Sequence, residues 1–293
     1  MGREAVVAVR ALLVFLAALI LLPAVAAVPS TVGGSDRRSS LRSEELSHVC
    51  SPRLRLRLTT LWDPPTVTGA GEGFSSSAPA KPALEPRFTS SERDWLTASR
   101  CVPVASFAGD EPGGFPRGWR VRREDGYAVY RVMEEGGLRF LRAIARSVGT
   151  QAAFEHPWDL KERPIFTWRW RPRVFPAGSD ERGATTNDSA VGVYVGFSRG
   201  PVAVRSIKYV WSRIASMGTI ATASAGFTRM LVIRSGAADP NRWVEERVNV
   251  IEDHRRLFGT DPDTPVGIGV LTDSDDTRSA AEGDYAGFGL CRP

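Results

Sequence analysis

The 293-residue chain holds few of the residues that carry most enzyme chemistry. It has three cysteines and three histidines, with neither a CxxC pair nor an HExxH motif. A P-loop and a GxGxxG followed by a helical pattern are also missing from it. These absences exclude a metal–thiolate cluster and give no support to the common metalloprotease and nucleotide-binding signatures. The sequence therefore leans against an enzyme, although a carboxylate pair for glycoside hydrolysis is spatial and invisible in one sequence.

The chain has a single long hydrophobic run, and this scarcity excludes a multi-span membrane protein. Arg3 and Arg10 precede the uncharged apolar stretch Ala11–Leu22, and small residues follow it. This pattern is typical of a secretory signal peptide, predicted over residues 1–27. An uncleaved anchor is the alternative, and would be the one contact with a membrane. We therefore expect an exported protein, periplasmic or extracellular.

Residues 28–100 lack apolar periodicity and are rich in Ser, Pro, Arg, Thr and Gly. Such a segment cannot bury enough surface to offset its ordering entropy, so we predict a flexible linker followed by a domain over residues 101–293. The formal net charge is +5, but basic and acidic residues nearly balance within the predicted domain. Nucleic-acid binders concentrate basic charge on the folded part, so no nucleic-acid partner is expected.

The three cysteines allow one internal disulfide. Cys101 and Cys291 bracket the predicted domain, and a bridge between them would close a loop of about 190 residues. Because three is an odd number, at least one thiol stays free or pairs between chains, and Cys50 in the linker is the natural remainder. The sequence leaves the formation of the bridge open.

After Cys101, short apolar runs alternate with turn residues, which is typical of strands. Tyr127–Glu134 and Leu138–Arg146 flank a Gly-rich turn and predict a hairpin. Nine or ten such runs predict an all-β, antiparallel, jelly-roll-like sandwich with one or two short helices. One helix is predicted at Glu252–Phe258, ended by Gly259. The other predicted strands are Ile165–Arg173, Ala190–Ser198, Ile207–Ile214, Met230–Ser235, Trp243–Val250, Val266–Asp273 and Gly283–Leu290.

Alternation within a strand predicts which face is buried. In the run Ala190–Ser198, the valines and Phe197 occupy one face, while Gly192, Tyr194 and Gly196 occupy the other. The glycines leave a smooth surface around Tyr194. Such a surface suits a ligand, a loop or a packed helix.

The densest aromatic feature is the pair Trp168 and Trp170, which strand alternation places on one face. Two indole rings at this spacing either fill the core or form a platform for sugar rings. Arg169 lies on the opposite face, which is then the polar one. Tyr209 and Trp211 repeat the spacing and leave the same two alternatives.

The densest acidic feature is the turn that contains Asp273, Asp275 and Asp276. An oxygen-rich turn can hold a hard cation such as Ca²⁺, bind a polar ligand, or simply form a turn. This one lacks the glycine and the glutamate of an EF-hand loop. Asp188 precedes the most hydrophobic strand. Its carboxylate could orient an arginine or the hydroxyls of a ligand, and the alternative is that it simply forms a turn.

Two further ionisable residues stand out. Glu246 lies on the face of its strand that also carries Val244 and Val248, so it needs a partner or a shifted pKa. We expect an Arg from a neighbouring strand. His254 is expected on a solvated face of the predicted helix.

In order, several motifs resemble a bacterial family known as domain of unknown function 3047, over about residues 103–290. They are WRW (168–170), NDSAVGVYVGF (187–197), KYVW (208–211), WVEERVNV (243–250), DHRRLFG (253–259), VGIGVLTDSDDT (266–277) and GDYAGFG (283–289). The family pattern has an Asp-Asp pair where this chain has Asn187 and Asp188, so this chain has one carboxylate there instead of two. The resemblance implies an exported bacterial protein with a β-sandwich fold, and implies no established activity.

The leading hypothesis is a non-catalytic carbohydrate-binding module of the bacterial envelope or exterior, with a glycan or an envelope component as partner. A polysaccharide-active hydrolase or lyase, using Tyr194 or Tyr209 with an Arg and His254, is one alternative. A structural or assembly protein of the envelope is the other. The candidate ligand-binding residues are Trp168, Arg169, Trp170, Asp188, Tyr194, Tyr209 and Trp211, and the candidate Ca²⁺ ligands are Asp273, Asp275 and Asp276.

Overall fold

The structure, a computed structural model, describes residues 101–199, 203–223 and 226–293. The predicted signal peptide (1–27), the predicted linker (28–100) and Cys50 lie outside the described residues. Within these residues the chain forms thirteen strands and two short helices. The strands build two stacked sheets, which confirms the predicted β-sandwich.

The first half of the described chain contains seven strands and one helix. They are β1 (Cys101–Ala105), β2 (Trp119–Val121), α1 (Gly126–Val129), β3 (Tyr130–Glu135), β4 (Leu138–Arg146), β5 (Gly149–Glu155), β6 (Ile165–Val174) and β7 (Gly192–Arg199). The second half contains β8 (Ala203–Ser212), β9 (Ile220–Ala223), β10 (Thr228–Ser235), β11 (Val244–Asn249), α2 (Val250–Phe258), β12 (Pro265–Asp273) and β13 (Ala280–Cys291).

One sheet has the strand order β11-β6-β13-β4-β3, with β1 also paired to β13. The other has seven strands in the order β2-β5-β12-β7-β8-β10-β9. Among the described strands, every pair is antiparallel except β8 and β10, which run parallel. The chain reaches β10 from β8 by way of β9, which is antiparallel to β10 at the edge of the sheet. The described strands are therefore antiparallel, as predicted, except at this one pair.

The inner faces of the two sheets form a shared apolar core. In β7, Val193, Val195 and Phe197 are at most 1 % exposed and belong to this core. Tyr194 points to the outer face of the seven-stranded sheet, since side chains alternate along a strand. The buried face predicted for this strand is confirmed.

Asn249 is the N-cap of the helix α2, and its side chain accepts hydrogen bonds from the backbone N–H groups of Ile251 and Glu252 at 3.1 and 3.3 Å. It ends at Gly259 in the left-handed conformation (φ 72°), as predicted. His254, however, is 1 % exposed, and its ring contacts Phe197. The expectation of a solvated His254 is wrong because this helix packs its histidine face onto the sheet, and burial lowers the pKa of the imidazole.

A disulfide joins Cys101 to Cys291 across the paired strands β1 and β13. The structure thus forms the bridge that the sequence left open. No helix among the described residues has the length and apolar character needed to cross a bilayer.

Candidate functional site

A cleft of about 480 Å³ opens on the outer face of the seven-stranded sheet. Its volume lies within the range of about 300–1,000 Å³ that is usual for small-molecule sites. The loop between β6 and β7 forms one wall, and β9 forms another. Five successive strands, β5, β12, β7, β8 and β10, supply its floor, and their lining residues include Gln151, Asp273, Tyr194, Lys208 and Met230.

Lys208 lies at the centre of this floor. It stands directly opposite Tyr194 on one neighbouring strand and Met230 on the other. A methyl group added at Gly192 would lie 2.9 Å from Lys208 Cε, so that glycine makes room for the lysine. The ammonium lies 5.9 Å from the centroid of the Tyr194 ring, within cation–π range.

The Lys208 ammonium is buried and sparsely hydrogen-bonded. The residue is 5 % exposed, and Nζ donates to Ser189 Oγ at 3.1 Å, its one hydrogen bond among the described residues. An ammonium has three donors, so two are left over. Burial by itself would lower the pKa of Lys208, but the phenol of Tyr194 and the carboxyl groups of Asp273 and Glu181 outweigh it and raise the pKa. The group therefore remains a cation.

Asp273 ends β12 at the same cleft and is 8 % exposed. Its Oδ1 has no hydrogen-bond partner among the described residues. Burial, and after it the adjacent carboxyl group of Asp275, raise the pKa of Asp273 well above its usual range. A methyl group at Gly149 would overlap the carboxyl oxygens of both aspartates, so this glycine is needed to admit the pair.

Asp188 anchors the acidic turn that follows β12. Its buried carboxylate accepts hydrogen bonds from the backbone N–H groups of Asp276 and Thr277 at 3.2 and 2.8 Å, and from the Thr277 hydroxyl at 2.5 Å. Carboxylate oxygens of Asp188, Asp275 and Asp276 lie within 4.8 Å of one another. This spacing would allow the three side chains to ligate one cation.

Several residues that line the cleft carried no signal in the sequence analysis. Glu181 is 3 % exposed and accepts a hydrogen bond from Ser212, and burial raises the pKa of Glu181. Arg122 donates to Gln151 Oε1 at 3.3 Å. Only Lys208 offered a usable clue, since it is a rare lysine inside an apolar strand of an arginine-rich chain.

Trp168 and Trp170 lie inside the sandwich, where both are 0 % exposed and their ring centroids are 5.4 Å apart. The sequence left open whether these rings fill the core or form a platform for sugars, and the structure places them in the core. Trp170 Nε1 donates to Glu246 Oε1 at 2.9 Å, and Arg234 pairs with the same carboxylate at 2.5 Å. The expected Arg partner is present, but it comes from the opposite sheet instead of a neighbouring strand.

Tyr209 and Trp211 also face inward, and neither lines the cleft. The Tyr209 hydroxyl donates to Asp253 at 3.0 Å, and Trp211 Nε1 donates to the carbonyl of Gly236 at 3.1 Å. Tyr194 and His254 lie on opposite faces of the sheet, because His254 contacts the inward-facing side chain of Phe197. The hydrolase or lyase alternative requires Tyr194 or Tyr209 to act together with His254. The cleft does not bring these residues together.

Arg169 and Arg171 lie on the outer face of the six-stranded sheet, on strand β6. Arg171 is 2 % exposed and makes two hydrogen bonds to Asp284 Oδ2, at 2.9 and 2.7 Å. Arg142 binds the same carboxylate at 2.7 and 3.0 Å, and the Arg171 guanidinium stacks 4.7 Å from the Trp243 ring. These groups satisfy one another, so this cluster braces the sheet.

The family model described as "Protein of unknown function (DUF3047)" matches residues 117–288, and the chain belongs to this family. The resemblance noted from the sequence motifs is thereby confirmed. A search of curated proteins found no match to the chain.

Comparison with solved structures finds β-sandwich proteins at low identity. One is the family 11 carbohydrate-binding module of cellulosomal cellulase Lic26A-Cel5E of Clostridium thermocellum, with 9 % identity, coverage of 66 % of this chain and 95 % of that one, and a TM-score of 0.33. A second is CBM28, a module specific for non-crystalline cellulose, with 13 % identity, coverage of 64 % and 93 %, and a TM-score of 0.35. A third is the xyloglucanase domain of NopAA, a type three effector from Sinorhizobium fredii, with 10 % identity, coverage of 62 % and 96 %, and a TM-score of 0.34. Likeness at this level carries no argument about a ligand.

Proposed function

We propose that the cleft on the seven-stranded sheet binds a carbohydrate as a non-catalytic module. The observation that carries this proposal is the Lys208 ammonium, which is buried with two unused donors beside the unpartnered Oδ1 of Asp273. A sugar hydroxyl accepts one hydrogen bond and donates another. Neighbouring hydroxyls on one ring would therefore satisfy both protein groups at once.

The proposed mode of binding differs from the stacking platform that the sequence left open as one of two alternatives. Tyr194 is the one aromatic residue among the described residues that line the cleft, and it is 3 % exposed. The tryptophans considered for stacking are in the core. Recognition in the cleft thus depends on hydrogen bonds to polar groups, with the ring of Tyr194 as floor.

We expect the change Lys208→Met to weaken glycan binding about 10- to 100-fold, because a hydrogen bond to a charged group contributes about 1.5–3 kcal/mol. The ligand would first be found on a glycan array and then measured by isothermal titration calorimetry with the full chain. Lys161→Met is the matched control, since Lys161 is exposed and does not line the cleft. Equal affinity in the Lys208 variant and the control, or no glycan bound by the unaltered protein, would refute the proposal.

We also propose that the acidic end of the cleft binds Ca²⁺, through Asp188, Asp275 and Asp276. The grouping of their carboxylates within 4.8 Å supports this, as does the buried, unpartnered oxygen of the adjacent Asp273. Hard cations prefer several carboxylate oxygens of this kind.

Millimolar CaCl₂ is expected to raise the melting temperature of the protein, because a ligand that binds only the native state stabilises it by mass action. Asp275→Asn is expected to abolish the increase. Asp261→Asn should keep it, since Asp261 lies at the C-terminal end of α2, pairs with Arg255 there and does not line the cleft. Differential scanning calorimetry with and without Ca²⁺ makes the comparison, and an increase that survives in Asp275→Asn would exclude this site.

Finally, we propose that the protein is exported to the periplasm or the exterior. The signal-peptide pattern of residues 1–27 supports export. The Cys101–Cys291 disulfide supports it independently, because such bonds persist mainly in oxidising compartments.

A further inference from the structure

Lys208 lacks a direct counter-ion. None of its contacts among the described residues is a carboxylate oxygen within 4.0 Å of Nζ, although the side chain is buried. Charges that are buried in proteins are normally paired, because an unpaired charge loses its hydration without compensation. A ligand that carries an anionic group would complete this pairing.

Arginines line the same cleft as Lys208, namely Arg122, Arg123 and Arg182. Glu181 is buried, and its carboxyl group accepts a hydrogen bond from the Ser212 hydroxyl and forms no ion pair with Lys208 within 4.0 Å. The lining therefore offers an anionic ligand several donors and cations besides the Lys208 ammonium.

The carboxyl groups of the acidic turn are held by other partners. Asp188 is fixed by hydrogen bonds from the backbone of Asp276 and Thr277, and Asp276 accepts a hydrogen bond from Asn187 at 2.7 Å. Neither of these aspartates forms an ion pair with Lys208 within 4.0 Å, so the two unused donors of the ammonium stay open to a ligand. A ligand with an acidic group and neighbouring hydroxyls matches the ammonium and the acceptors of the cleft.

We propose that the cleft selects acidic glycans and seats the anionic group of one sugar residue on the Lys208 ammonium. This inference rests on the proposed carbohydrate-binding function and names its ligand class. The anionic group is either the carboxylate of a uronic acid or a sulfate ester, and both carry a negative charge on exposed oxygen atoms. The compact ammonium, lodged against Gly192, receives either group as a point charge.

The test uses pairs of glycans that differ only in charge. Oligogalacturonides with free carboxylates are compared with their methyl esters, and a sulfated galactan is compared with its desulfated form. Binding of the full chain is measured by isothermal titration calorimetry. We expect affinity for one charged member to exceed that of its neutral partner at least tenfold.

The variants Lys208→Met and Lys161→Met are measured beside the unaltered protein. The preference for the charged glycan should disappear in the first and persist in the second. The comparison on the unaltered protein tests the inference even when Lys208→Met does not fold. Preference in the carboxylate pair identifies a uronate, and preference in the sulfate pair identifies a sulfate ester.

The two proposals fail differently. Equal binding of charged and neutral partners, or tighter binding of the neutral ones, would overturn the acidic-glycan inference and leave the carbohydrate-binding proposal standing. A protein that binds no member of these pairs and no glycan on the array would overturn both.

Discussion

Replacing Cys101 and Cys291 by serine is expected to lower the free energy of unfolding by up to about 5 kcal/mol. The bridge joins residues separated by 190 positions in the chain. In the chain-entropy model, a cross-link between such distant residues removes a large share of the freedom of the unfolded chain. The loss should appear as a lower urea midpoint for the double variant and for the wild-type protein under reducing conditions.

The control for this prediction is Cys50→Ser, which makes the same substitution at the third cysteine and leaves the Cys101–Cys291 bridge in place. We expect it to leave the urea midpoint unchanged. A double variant within about 1 kcal/mol of wild type would contradict the prediction, and would mean that pairing of β1 with β13 already restricts the chain.

The second large effect is expected at Asp284, which is 0 % exposed on the outer face of the six-stranded sheet. Its carboxylate receives paired hydrogen bonds from Arg142 and Arg171, and hydrogen bonding to Asp284 raises the pKa of Arg142. Asp284→Asn keeps the shape of the side chain and removes its charge. Because Arg171 is also buried, it would then depend on the solvent-exposed carboxylate of Glu135, at 2.7 Å, for its ion pair. We expect the free energy of unfolding to fall by about 3–5 kcal/mol.

Glu134→Gln provides the matched comparison. Glu134 pairs with Arg139 at 2.8 Å, but its side chain is 45 % exposed, so the pair contributes about 0–1 kcal/mol. Urea unfolding monitored by tryptophan fluorescence measures both variants. Similar small losses in the two proteins would show that Asp284 does not hold the arginine cluster.

The sequence pattern predicts most strand interiors but not the weakest strands. It predicts Leu138–Arg146 with the bounds that the structure has. It does not indicate β5, with the sequence GTQAAFE, because small and polar residues stand on both faces of that strand. It does not indicate β2 either, because three residues are too few to show alternation.

The candidate site was predicted in part. Tyr194 could be assigned to an outer face because the glycines and valines of β7 alternate. Asp273 could be noticed because acidic residues cluster in one turn. Lys208 stands out only as a rare lysine in an apolar strand, and Glu181 does not stand out at all, since nothing in their local sequence shows that they meet in one cleft. Glu181 comes from a loop whose path no short-range pattern determines.

The sequence by itself determined the class of fold, the inward face of β7 and the helix that ends at Gly259, because these depend on residues close together in the chain. Only the tertiary structure decided that Trp168 and Trp170 belong to the core, and that Lys208 and Asp273 face the same cleft. Alternation shows that two side chains share a face of their strand, but not which face the second sheet covers. That choice depends on the pairing of strands that are far apart in the chain, and on the apolar surface that their packing removes from water.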